Sequence, residues 1–189
     1  MAELVDRVDE QDRVLAVVDR AEAIRRGWPH RVATIVCRDE QGRFLVHRRP
    51  DHVSRFPGQY NWLLGGAAEA GESYEAAAAR ELFEELGVRA APRLVLKFLC
   101  EGVISPYWLG LHEVVVTTAI RPDPREVSWH AWLTGPELEA LTRHPEFVPD
   151  AREAYERYRA ARRSAPKGRG AVSTCSSAAG RDQPRRTRS

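Results

Sequence analysis

The stretch Gly66 to Val88, GAAEAGESYEAAAARELFEELGV, constrains this chain more than any other. Read as a helix from about Tyr74 to Leu86, it places Glu81, Glu84 and Glu85 at i, i+3 and i+4, on one helical face. Three like charges so placed repel one another and need compensation. A hard divalent cation supplies it, because Mg²⁺ takes oxygen ligands, typically a few carboxylates together with substrate phosphate oxygens. An acidic run can equally end as a solvated helix face, so the spacing around it has to decide.

That spacing runs Gly66, five residues, Glu72, seven residues, Arg80-Glu81-Leu82, one residue, Glu84-Glu85, one residue, Gly87-Val88. It resembles the signature of the Nudix hydrolase family with every fixed position filled, and nine fixed positions across 23 residues carry far more weight than a lone glycine-rich loop. The resemblance implies an α/β fold, a mixed β-sheet sandwiched between α-helices. It implies a hydrolase that splits a nucleoside diphosphate-linked or related diphosphate by attack of water at phosphorus, with Mg²⁺ or Mn²⁺ as cofactor. On the family pattern Glu81, Glu84 and Glu85 are the metal ligands, with the Gly66 carbonyl as a further one. Glu72 supports the cluster and Arg80 holds the glutamates by charge-assisted pairs. The general base varies within the family. Glu126, ahead of a strand, is the candidate from outside the signature.

Arg48 and Arg49 leave a strand close to the signature and are candidates for phosphate contact. Strand alternation points only one of them inward. Trp62, Trp108, Trp129 and Trp132 could stack on a base, although each taken singly reads as packing.

Looser motifs between residues 3 and 49 resemble the subgroup near the type 1 isopentenyl diphosphate isomerases, a resemblance that covers most of residues 3–160. Those enzymes use a catalytic cysteine just before the signature and a histidine close after it, where this chain has Gly65 and Ala67. The intact carboxylates therefore favour hydrolase over isomerase. A third alternative, a Nudix-fold binding module without turnover, is expected to have lost signature carboxylates.

The surrounding chain reads as one domain over 1–163, of which about 1–30 form an N-terminal extension. Glu3–Val8 and Arg13–Val18 read as strands around a polar turn, and Asp19–Arg26 as a short helix ended by Gly27 and Pro29. Arg31–Cys37 and Phe44–His47 read as a hairpin, followed by a short strand over Tyr60–Leu64. Ser73 suits the N-cap of the signature helix and Gly87 its left-handed stop, with Ala79, Leu82, Phe83 and Leu86 as the apolar stripe. Strands are expected over Arg93–Cys100, Leu109–Ala119 and Val127–Leu133, and helices from Thr134 or Gly135 to Leu141 and from Pro149 to Arg162.

Residues 164–189 read as a disordered basic tail, with six lysines and arginines against Asp182 alone. With a net charge of +2, the rest of the chain is mildly acidic, so nucleic acid is not an expected partner. Cys37, Cys100 and Cys175 form no paired spacing, which argues against zinc or a disulfide framework and for a reducing cytoplasm. Neither a signal peptide nor a membrane span is visible. The expected partner is a small-molecule diphosphate, with a homodimer kept as one oligomeric outcome.

Overall fold

The structure is a computed structural model and describes residues 3–164. Of the expected tail, only Ser164 lies within them. Cys175 lies outside the described residues.

Two strands, β1 (Leu4–Val8) and β2 (Val14–Asp19), form a separate antiparallel hairpin, and α1 (Arg20–Arg26) follows directly. Asp19 caps that helix by accepting from Glu22 N, and Gly27 ends it at φ 62°. Asp12, at the hairpin turn, takes a 2.7 Å pair from Arg31 and a 2.5 Å pair from Lys97, which ties the hairpin to the main sheet.

The main sheet has seven strands. Its central path is β5 (Tyr60–Asn61), β4 (Phe44–Arg48), β3 (Arg31–Arg38), β8 (Tyr107–Val115) and β7 (Arg93–Cys100). Off this path, β6 (Leu64–Ala67) pairs β3 and β9 (Trp129–Leu133) pairs β4. The β3–β8 pairing is parallel and the others are antiparallel, so the sheet is mixed. Strand alternation explains the layers: Ala33, Ile35 and Cys37 of β3 face one side and Val36 the other.

On the first face lies α2 (Tyr74–Leu86), the signature helix. Its Ala77, Ala78, Leu82 and Leu86 are fully buried against β3 and Val114 of β8. Each of those leucines contributes roughly 1.5–3 kcal/mol by burial. On the second face α4 (Pro149–Ser164) packs Ala151, Ala154, Tyr155 and Tyr158 on Val36, Leu109 and Leu111 around the buried Trp62. The short α3 (Gly135–Leu141) opens with a capping box between Thr134 and Glu137.

Three expectations are corrected. The β3–β4 turn forms, but its strands share only the Arg38–Phe44 pair before they part. The reason is that β6 takes over the edge of β3, from Val32–Ala67 to Ile35–Leu64, while β4 turns to β9 and β5. The expected strand Tyr60–Leu64 is two strands, because the Asn61 side chain accepts from Leu63 N at 3.0 Å and breaks the ladder. Phe83 does not belong to the buried stripe of α2. It is 42% exposed, with the Arg89 guanidinium 3.9 Å from its ring centre. Ala79 is only half-buried; Leu82 and Leu86 are buried as expected, and Tyr74, Ala77, Ala78 and, unexpectedly, Glu85 complete the face.

Candidate active site

The splayed junction of β4 and β6 opens a cleft of about 900 Å³, with α2 as one wall. The Ser73 hydroxyl accepts from Ala76 N and fixes where α2 starts, and Gly87 stops it. Between those caps the helical period sends Glu81, Glu84 and Glu85 toward the cleft, and all three line it.

Their environments differ. Glu84 is largely exposed, whereas Glu85 sits one turn beyond the core residue Leu82 and is only 7% exposed. Burial pushes the Glu85 carboxyl up to about 8. The Gly65 amide opposes that shift by donating at 2.8 Å, and the neighbouring Glu81 and Glu126 charges add to it. Burial also raises Glu81, against the partial relief of Arg80.

Arg80 is the fastener. Its Nε and Nη2 donate to the two oxygens of Glu72 at 3.1 and 3.0 Å, and Nη2 also reaches the Ala67 carbonyl at 3.1 Å. Nη1 donates to Glu81 at 2.8 Å and Glu84 at 3.2 Å. One planar fork thus joins β6, the approach loop and α2. Burial alone would raise the Glu72 carboxyl, but the Arg80 hydrogen bonds outweigh it and hold Glu72 below the ordinary carboxylate range.

Two glycines let β6 come this close. Gly65 has φ +125°, and a Cβ there would lie 2.1 Å from the Ala33 carbonyl oxygen. At Gly66 a Cβ would lie 2.6 Å from Glu81 Oε1, so the backbone of Gly66 abuts that carboxylate.

Across the cleft stands a basic wall. Arg49 follows β4 directly and lines the cleft, together with Arg20 from the start of α1 and Arg55 from the loop 51–59. Arg48 does not line it. Its guanidinium pairs with Asp51 at 3.1 Å. Glu126 does line the cleft, in a loop that Arg121 N and Asp123 N fasten to the Leu86 and Glu85 carbonyls at the end of α2. None of Trp62, Trp108, Trp129 and Trp132 borders it. Trp62 is buried under α4, where its Nε1 donates to the Ala151 carbonyl at 2.9 Å, and Trp108 donates to the Asp9 carbonyl.

Sequence reading passed over Arg20, Arg55, Glu3 and Asp123, which also line the cleft. Arg55 had a signal, since it follows Arg48 and Arg49 as a third base before a Pro-Gly turn. Arg20 had none: only the packing of the hairpin brings it here.

Among the described residues, no three His, Cys, Asp or Glu side chains form a ready-made metal cage. Arg80 occupies Glu81 and Glu84 instead. The donor set nonetheless suits a hard dication. It consists of carboxylate and backbone oxygens, and Glu81, Glu84, Glu85 and Glu126 crowd a wall whose nearby cations are already engaged, Arg80 with Glu72 and Arg125 with Asp123. Burial is the main cause of the upward shift of Glu85, and the Glu81 and Glu126 charges add to it.

Comparison with known proteins identifies the family and the fold. The family profile of the NUDIX domain matches residues 28–158. An uncharacterized Nudix hydrolase of Streptomyces coelicolor is 43% identical over 169 residues, covering 88% of this chain and 93% of its own. Another, from Pseudomonas aeruginosa, is 35% identical over 159 residues, covering 83% and 94%. The crystal structure of DR0079 from Deinococcus radiodurans superposes with a TM-score of 0.71 at 29% identity, over 82% of this chain and 98% of that one. A MutT protein from Methanosarcina mazei Go1 is similar in fold, with a TM-score of 0.58 at 22% identity over 68% and 91% of the two chains.

Proposed function

The chain belongs to the Nudix hydrolase family, and from that premise we propose that it hydrolyses the diphosphate bond of a small phosphorylated substrate with Mg²⁺ or Mn²⁺. One observation carries the reading: Glu81, Glu84 and Glu85 border the same cleft as Arg49, with the Gly66 backbone against Glu81.

Glu81, Glu84, Glu85 and the Gly66 carbonyl would hold the dication. When bound, it neutralises diphosphate charge and makes water a better nucleophile. Arg80 and Glu72 orient the carboxylates and do not react. Arg49 meets a phosphate oxygen. Water adds to one phosphorus, the bridging P–O bond breaks, and the proton lost by water passes to a carboxylate. Glu126 serves that role because it lines the cleft beside the ligands and is free of an ion pair among the described residues. Arg48 has no part in this scheme, because its guanidinium is spent on Asp51.

The domain is proposed to be residues 1–163, since Arg20 and Glu3 of the first thirty residues border the cleft. Among the described residues no helix is long and apolar enough to cross a membrane. The free buried thiols of Cys37 and Cys100 suit a reducing, cytoplasmic setting.

The test is release of phosphate or nucleotide from nucleoside triphosphates, dinucleoside polyphosphates, ADP-ribose, NADH, CoA and isoprenoid diphosphates, with each metal in turn. Turnover of at least one is expected. No turnover of any would leave a binding module, and interconversion of isopentenyl and dimethylallyl diphosphate would mark an isomerase.

A further inference from the structure

The basic wall is more than a diphosphate requires. Arg20, Arg49 and Arg55 stand on one side of the cleft, and the only ion pair any of them makes among the described residues is the 2.6 Å contact of Arg20 with Glu3. The Nε of Arg20 is buried without a hydrogen-bond partner among the described residues. Arg55 is half-buried, and its guanidinium has no hydrogen-bond or ion-pair partner among the described residues. Burial, and then the nearby Arg20 charge, disfavours its charged form. Arg49 is turned toward it, donating from Nε to the Arg55 carbonyl at 3.0 Å. The loop that carries Arg55 bends through Phe56 at φ 48°, a left-handed conformation costly for an aromatic residue.

Three guanidiniums held together with one carboxylate between them leave an electrostatic deficit that an anion fills. Their forks suit phosphate, whose several oxygens accept from more than one arginine, better than a single carboxylate. The cleft lining contains no Phe, Tyr or Trp, so ring stacking has no platform there. Glu3 and Arg20 both lie before residue 28, outside the stretch that the NUDIX profile matches. Two of the residues on this side of the cleft thus come from the N-terminal hairpin and helix, ahead of the matched stretch.

We propose that Arg20 and Arg55, assisted by Arg49, form a phosphate subsite facing the carboxylate helix, and that the preferred substrate carries a phosphate beyond the diphosphate that is cleaved. This rests on the hydrolase reading for the cleaved bond, but not for the binding itself. Selection is by phosphate number: the carboxylate end takes the scissile diphosphate and the arginine end the additional group.

The experiment titrates the full chain, in saturating Mg²⁺ so that the carboxylate end can hold a diphosphate and at constant ionic strength, with inorganic tripolyphosphate and with pyrophosphate by calorimetry. Tripolyphosphate binds at least about tenfold more tightly. Arg55→Gln and Arg20→Gln each weaken tripolyphosphate about tenfold and leave pyrophosphate nearly unchanged. Arg55→Lys retains part of the preference, and Arg143→Gln, on an exposed surface, retains all of it. Melting curves confirm that each variant is folded. Equal affinity for the two anions, or wild-type preference in Arg55→Gln and Arg20→Gln, overturns the subsite. If nothing in the substrate panel is hydrolysed while these binding differences stand, the hydrolase reading fails and the subsite survives. If turnover is found and the preference is absent, the converse holds.

Discussion

The backbone amide of Gly65 donates a 2.8 Å hydrogen bond to Oε1 of Glu85, twenty residues further along the chain. This contact fixes a nearly buried carboxylate at the cleft and couples the glycine strand to the helix. It also shows where stability has been given up, because one amide offsets only part of the cost of burying that charge.

Glu85→Gln is expected to abolish metal-dependent turnover, by a hundredfold or more, while leaving the protein as stable or more so. The amide oxygen of glutamine can still accept from Gly65, and a neutral group avoids the burial cost. Thermal melting without metal at pH 8 gives the comparison, with an expected gain of about 1 kcal/mol or more. A variant with full activity would remove Glu85 from the ligand set.

The two glycines should fail differently. Gly65→Ala must find room 2.1 Å from the backbone oxygen of Ala33 at a positive φ, so a loss of roughly 2–4 kcal/mol is expected in denaturant titration. Gly66→Ala meets only the end of the Glu81 side chain. It should fold nearly normally but lose tenfold or more in kcat, with weaker Mn²⁺ binding.

Arg80 is predicted to be structural in its effect on catalysis. Arg80→Ala leaves Glu72 and Glu81 without their fork, and an unmet partly buried charge typically costs about 1–3 kcal/mol. Arg80→Lys keeps the charge but cannot bridge Glu72, Glu81 and the Ala67 carbonyl at once. Lower metal affinity with a modestly reduced melting temperature is expected for the lysine variant, measured by Mn²⁺ titration and calorimetry.

Acid should destabilise the fold through two buried imidazoles. Burial lowers His30 to about 4, helped by the Arg20 and Arg55 charges, and lowers His47 to about 3, helped by Arg49. Among the described residues, neither ring nitrogen of either residue has a hydrogen-bond partner. Below the ordinary histidine range near 6.5 the unfolded chain takes up protons that the folded one refuses, so stability falls as pH drops from about 6.5 toward 4. In a Glu85→Gln background, which removes the opposing proton uptake of that raised carboxyl, urea midpoints at pH 7, 5.5 and 4.5 should fall steadily. His47→Gln should flatten part of the slope, and an unchanged slope would reassign the effect.

Much of the centre was legible because it is local. Ser73, the Glu81–Glu84–Glu85 spacing and Gly87 specify a capped helix by short-range rules alone, and α2 spans Tyr74–Leu86 as its sequence implies. The burial of Glu85 was not legible, because it depends on β6 docking beside β3. The exposure of Phe83 was hidden for the same reason: hydrophobicity does not say which side of a helix a sheet will cover. Asn61 broke a strand through a side-chain hydrogen bond that apolar patterning overlooks. Arg20 lies sixty-one residues before Glu81 and joins its cleft only because Asp12 anchors the hairpin to Arg31 and Lys97.

That anchoring has an evolutionary consequence. The hairpin and first helix touch the cleft from one side, while the carboxylates proposed to hold the metal come from α2, beside β6, on the other. Under that proposal, lineages could retune which metabolite is accepted by altering the first thirty residues, without disturbing the metal-holding carboxylates.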